Sequence, residues 1–383
     1  MKRRLIKFDI VHPPEYLEEK KKSWPDLSSI SRQEYLDRLI RLRSNYSDYY
    51  THHLNPDEWE AEEFFLLDNT FLDKTARELF GPRYSLARYG NRLKNKLSAA
   101  TPRWRDHVIH RYLEKVNPDV IFVRSQPLPS DFWQRYRDST LLVSRLSARL
   151  PVGWHPNHWD LIYTDQPDFQ KFFELHGVQT ILNDQGFDAR IIDELVAREK
   201  KYEVSFVGGL GTQNFSQRTD FINRIAPQIN FQWWGYWWEY GGDGRQLVDF
   251  PSLHQTFQGR TSGLEMFQLF KDSKVVINDY VDTANGIGFN QRMFEVMGSG
   301  AFMLTRQAPN FKGLFPDNIF ATYQNEQDFL DKVSYFLQHD DEREEIAKNG
   351  QQFVLKHYNY QTIVRQFGHD VKEALAQRGL SRT

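Results

Sequence analysis

Arg292 and Glu295 stand three residues apart, just after a loop that contains Gly286, Gly288 and Asn290. Residues three apart share neighbouring turns of a helix. Met293, Val296 and Met297 repeat at the spacing of a buried helical stripe, so the run from Gln291 is predicted to be a short helix ended by Gly298 and Gly300. Its N-terminus, with free backbone N–H groups, partial positive charge and an arginine in the first turn, suits a phosphate. A carboxylate one turn further in could accept hydrogen bonds from sugar hydroxyls. Spacing alone also fits a plainer structure, a glycine-bounded helix on a sheet with Arg292 and Glu295 as a solvated ion pair. Short glycine patterns are common by chance, and on spacing alone the plainer structure is preferred.

Other residues invite the same test. Gly208 and Gly209 end an apolar run, Glu203 to Val207, and glycine at the carboxyl end of a strand lets a ligand approach the backbone. His155 and His158 have the spacing of a metal pair, but Pro156 breaks the helix that would align them and no acidic pair completes a site. No metal is expected. His12, directly after the first apolar run, and His155 remain candidates for a ligand-facing or an exposed loop position. The chain has no Asp-x-Asp, no Walker loop and no Gly-x-Ser-x-Gly elbow, which argues against a metal-diphosphate site, an NTPase and an α/β-hydrolase.

The 383 residues are enough for two domains with a core each. A hydrophobic share of 40% with 26% charged residues is that of a soluble globular protein. A net charge of −2 excludes a generally basic nucleic-acid binder. With no cysteine, neither disulfides nor a thiolate nucleophile can form. The absence of a membrane-length apolar run and of a signal-peptide core leads to an expected cytoplasmic location.

The elements that must position these residues alternate. Leu5 to Val11 reads as a first strand and Tyr35 to Leu42 as an amphipathic helix. From Asp119 the chain runs through apolar strands near Val120, Leu141, Leu161 and Thr180, with helical runs between, which argues for parallel βαβ units. The charged run Glu194 to Lys201 reads as a linker. Strands near Val204, Phe231 and Val275 follow, and Gln361 to Gln377 closes the chain as a helix. Arg83 to Lys115 holds nine Lys/Arg against two Asp/Glu. Leu86, Tyr89, Leu93 and Leu97 form its apolar stripe, predicting a helix with a basic outer face. That face is either merely solvated or drawn to a phosphorylated acceptor or an anionic membrane surface.

The run NQRMFEVMGSGAFMLT (290–305) resembles the signature of the CgeB-like glycosyltransferases, the spore-maturation-protein family with the GT-B fold. Its members carry Asn-x-Arg-x-(Phe/Tyr)-Glu, a small-residue turn and an apolar strand ending in Leu-Thr. The likeness continues without a break from Gly286 to Tyr360, through the REEIAKNG helix and the closing HYNY. NPDVIFVRSQ and the Gly186-Phe187-Asp188 triplet are similar to the family's N-terminal domain.

This resemblance implies an α/β protein of two Rossmann-like domains facing each other across a cleft. Residues 1–195 would bind the acceptor and 196–360 the nucleotide sugar, with 361–383 crossing back to the first domain. The implied activity is transfer of a sugar to a glycan, a lipid-linked saccharide or a protein, with no cofactor beyond the nucleotide-sugar co-substrate. The donor would meet Gly208, Gly209, Arg218, Gly235, Gly288, Phe289, Asn290, Gln291, Arg292 and Glu295. Arg218 opens a helix where such enzymes place a basic residue towards the diphosphate, and Gly235 lies in a Trp-Gly-aromatic segment near the base pocket. Arg292 would stabilise the leaving group, Glu295 would hold the ribose, and His12 and His155 are the weaker catalytic candidates. Retaining relatives carry a second glutamate eight residues earlier, where this chain has Ile287, so the stereochemical course stays open. A nucleotide-sugar epimerase of GT-B shape and a non-catalytic envelope or spore-coat protein with a degenerate nucleotide site are the alternatives.

Overall fold

The computed structural model describes the chain except residues 1, 45–46, 98–102, 147–149, 183–184, 214, 239–242, 283–286 and 381–383, with 95–97 as backbone only. Gly286 therefore lies outside the described residues, as does the side chain of Leu97. The chain divides into two compact units, residues 1–184 with 364–383, and residues 185–363. Among the described residues no helix is long and apolar enough to cross a membrane.

The first unit runs β1 (Arg3–Asp9), α1 (Pro14–Lys21), α2 (Arg32–Arg41), α3 (Tyr49–His53), β2 (Trp59–Phe65), α4 (Asn69–Phe80), α5 (Tyr84–Leu97) and α6 (Trp104–Val116). It continues with β3 (Val120–Val123), α7 (Ser130–Gln134), β4 (Leu141–Arg145), β5 (Leu161–Thr164), α8 (Pro167–Leu175) and β6 (Gln179–Leu182). The strands form one parallel sheet in the order β2-β1-β3-β4-β5-β6. β3 and β5 are buried along their whole length and β4 as far as Ser144, as in a parallel sheet covered on both faces. Capping starts α2, where Ser31 and Glu34 form a reciprocal capping box. Asp68 caps α4 through the Thr70 N–H, which makes Asn69 the first helical residue.

The basic stretch after Arg83 differs from expectation. It forms two helices, and the stripe on α5 points outward, with Leu86, Tyr89 and Leu93 being 73%, 67% and 48% exposed. Tyr84 and Asn91 are buried instead. Polar bonds set this choice, since the Tyr84 hydroxyl donates to Asp73 of α4 and accepts from Arg88.

The second unit holds α9 (Arg190–Glu194), β7 (Tyr202–Gly211), α10 (Ser216–Ile225), β8 (Phe231–Trp238), α11 (Pro251–Thr256), α12 (Gly263–Lys271) and β9 (Ser273–Asn278). Then come α13 (Gln291–Gly298), β10 (Met303–Arg306), β11 (Ala321–Tyr323), α14 (Glu326–Gln338) and α15 (Asp340–His357). Its parallel sheet has the order β11-β10-β9-β7-β8. Counted from β7, that is the doubly wound 2-1-3-4-5 order, whose direction reverses between β7 and β9.

The last helix, α16 (Tyr360–Gln377), completes the first unit with its later residues. There Phe367 lies 4.9 Å from the rings of Tyr50 and Phe122, and Asp370 accepts from the Tyr163 hydroxyl at 2.9 Å.

Candidate functional site

In an open parallel sheet, ligands bind beyond the carboxyl ends of the strands where the strand order reverses. In the second unit that place is occupied by Arg218. Its guanidinium donates to the carbonyl of Gly209 on β7 and, at 3.1 Å, to that of Asp279 just after β9. It lies over the rings of Phe206 and Phe215 and is only 5% exposed. Burial lowers its affinity for the proton, although Asp279 nearby opposes this. No carboxylate among the described residues comes within ion-pair distance of it, and its Nε has no partner. A buried cation held only by carbonyls and aromatic faces is costly unless something anionic joins it.

A second arginine stands at the carboxyl end of β10. Arg306 pairs with the Asp279 carboxylate at 2.8 Å and covers the Tyr280 ring at 4.2 Å. Burial pushes the Asp279 carboxyl above its ordinary range, against the pull of Arg306 and Arg218. Neither Arg306 nor Asp279 stood out in the sequence. The available signal was a charged residue at the carboxyl end of each of two largely apolar segments.

The helix expected at Gln291 is present as α13. Asn290 caps it, accepting from the Met293 N–H at 3.1 Å, and Met293, Phe294, Val296 and Met297 are fully buried. At about 1.5–3 kcal/mol for each such side chain, this apolar face anchors the helix. Gly300 adopts φ +72°, and the Ala301 N–H closes back on the Val296 carbonyl, a C-terminal wrap that suits glycine. The wrap takes up residues 301–302, and β10 begins at Met303.

The ion pair on α13 also exists. Arg292 Nη1 donates to Glu295 at 2.6 Å, but the pair is not solvated, its side chains being 26% and 11% exposed. Arg292 leans on Met266 and over the Phe270 ring of α12. Burial raises the Glu295 carboxyl while Arg292 pulls it down. Burial likewise raises the Tyr236 phenol, and the charges of Arg218 and Arg292 both act against it, which puts these three residues in one electrostatic neighbourhood.

The other donor candidates serve largely internal packing. A Cβ on Gly208 would meet the Phe206 ring at 2.7 Å, and one on Gly209 the Tyr236 ring at 2.8 Å. At Gly235 it would meet the Gly208 carbonyl at 2.0 Å across the β7–β8 pair. The Gly288 N–H donates to Asn310 Oδ1, and Phe289 lies against Phe294 and Phe315. Gln291 bonds both backbone groups of Gly186.

In the first unit, His12 follows the carboxyl end of β1 with an exposed side chain. His155 is exposed six residues ahead of β5, on that strand's amino side, and its ring lies 5.0 Å from His158. His158 is held by Ser130 Oγ at 2.9 Å. The described residues contain no group of three or more His, Asp or Glu placed to hold a metal.

Sequence reasoning also missed a buried charge cluster. Lys7, without exposed surface, lies 2.9 Å from Glu63 and 3.2 Å from Asp9, which in turn accepts from Ser125 Oγ. Burial pushes the Glu63 carboxyl up to about 7 despite the lysine.

Residues 217–368 match a family model described as glycosyl transferase-like. Anabaena HepE in complex with UDP and glucose is similar in structure, with a TM-score of 0.54, 14% identity, and 97% of this chain and 100% of that one covered. A glycosyltransferase from Rickettsia africae gives 0.51 at 10% identity over 98% and 99%. Sucrose-phosphate synthase from Thermosynechococcus elongatus gives 0.51 at 10% over 98% and 100%. No curated protein matches by sequence. These likenesses establish the GT-B fold, an α/β architecture with two parallel sheets.

Proposed function

We propose that this chain transfers a sugar from a nucleotide-sugar donor to an acceptor hydroxyl on a glycan, a lipid-linked saccharide or a protein. Arg218 carries the reading: a buried guanidinium at the switch point of the sheet, with neither a paired carboxylate nor a partner for its Nε–H among the described residues. The glycosyl transferase-like match over the same unit supports it, and the Asn290-x-Arg292-x-Phe294-Glu295 segment favours the CgeB-like group.

In this reaction negative charge grows on the departing diphosphate as the glycosidic bond breaks. Arg218 and Arg292 stabilise that charge together with the N-terminal dipole of α13. Glu295, already paired with Arg292, accepts from a ribose hydroxyl. The acceptor binds to the first unit, where His12 beyond β1 is a candidate base. No divalent cation is required.

Calorimetry against UDP, GDP, dTDP and CMP sugars tests the reading. One nucleotide should bind and, at a hundred times its Kd, stabilise the fold by about 2.7 kcal/mol. If none of the four binds, the reading falls. Transfer should then persist in EDTA, and activity restored only by Mg²⁺ or Mn²⁺ would overturn the cation-free step.

A further inference from the structure

We infer that α5 is a docking helix for an anionic lipid surface. The inference stands apart from the donor reading, because α5 belongs to the other unit. A helix on a globular domain normally turns its apolar stripe inward. Here Tyr84 and Asn91 face the domain, while Leu86, Tyr89 and Leu93 form an outward stripe at spacings of three and four residues.

Charge decides what covers that stripe. Between Arg83 and Leu97 there are five Lys/Arg and no Asp/Glu. On a helical projection Arg88 and Arg92 fall on one flank of the stripe and Lys94 on the other. Arg92 and Lys94 are exposed and make no ion pair among the described residues; Arg88 is shared with Asp73 at 3.3 Å. The adjoining groove holds Lys74 and Trp104 together with Arg77, which is paired with Asp73 at 2.8 Å. A second copy of this chain seated on the stripe would set cations against cations, which opposes pairing. A bilayer carrying anionic headgroups accepts both features at once, taking the leucines and the tyrosine ring into its interface and the flanking cations against its phosphates.

Sedimentation of the full-length protein with vesicles tests this. Vesicles of phosphatidylcholine with about one third phosphatidylglycerol should carry the protein down, and pure phosphatidylcholine should not. Raising the salt should weaken the binding. Leu86→Ser/Leu93→Ser and Arg92→Glu/Lys94→Glu change only exposed side chains, and each should lower partitioning about tenfold or more while leaving nucleotide binding and melting temperature unchanged. Failure to bind anionic vesicles, equal binding to neutral ones, or full binding by both double variants overturns the inference. Self-association of the wild type that is abolished by Leu86→Ser/Leu93→Ser, without any vesicle binding, would assign the stripe to a second copy and overturn it as well.

Discussion

The Arg218 guanidinium reaches the backbone carbonyl of Asp279 at 3.1 Å and so ties the first turn of α10 to the strand end across the reversal of the sheet. The same side chain holds the Gly209 carbonyl, so one residue braces both walls of the switch point. A ligand phosphate would find a cation that is already in place.

Arg218→Lys keeps the charge but not the fork that meets two carbonyls. One buried carbonyl loses its donor, at about 1–3 kcal/mol of stability. Nucleotide affinity should fall at least about tenfold. Urea unfolding and calorimetry report the two effects separately, and unchanged nucleotide affinity in a folded variant would remove Arg218 from the site.

Arg306→Ala should leave the Asp279 carboxylate, 2% exposed, without its ion-pair partner. Arg306 is itself partly exposed, so the expected cost is moderate, about 1–3 kcal/mol. Adding Asp279→Asn should recover part of that loss, because the buried charge is then gone. A double-mutant cycle by denaturation measures the coupling, and strict additivity would deny it.

Glu63 gives the first unit a pH dependence. Its folded pKa, about 7, lies above the ordinary glutamate value, so the folded state holds the proton more tightly than the unfolded state. The resulting stability is fully present below about pH 4.3 and is lost as the pH rises through 7. Glu63→Gln mimics the protonated form and keeps the Lys7–Asp9 contact. Relative to wild type, the variant should gain stability between pH 4.5 and 7.5, as read by melting temperature across that range. A constant difference would place the Glu63 pKa elsewhere.

Arg292→Lys separates leaving-group stabilisation from simple packing. If Arg292 meets the diphosphate as charge builds, kcat should fall more than donor affinity, with kcat/KM down on the order of ten- to a thousandfold. If the residue only pairs with Glu295, the change alters stability alone and turnover stays at the wild-type level. Glu295→Ala beside it should weaken nucleotide binding by about 1.5–3 kcal/mol, measured by calorimetry on the folded protein.

Local pattern was enough for the alternation of strand and helix, for α13 with its glycine-bounded end, and for the three-residue approach of Arg292 to Glu295. Each depends on residues a few positions apart, whose spacing alone brings them together. Contacts between distant segments were decided by tertiary structure. Asp279 and Arg306 meet because β9 and β10 lie side by side, and Arg218 meets Asp279 because the sheet reverses there. Gly208 and Gly235, equally open to a ligand as sequence, make room for Phe206 and for the paired strand. Periodicity found the apolar stripe of α5 but not its direction. The opposite face, held by the Tyr84–Asp73 bond, had the better partner inside the fold, and that left Leu86, Tyr89 and Leu93 facing out.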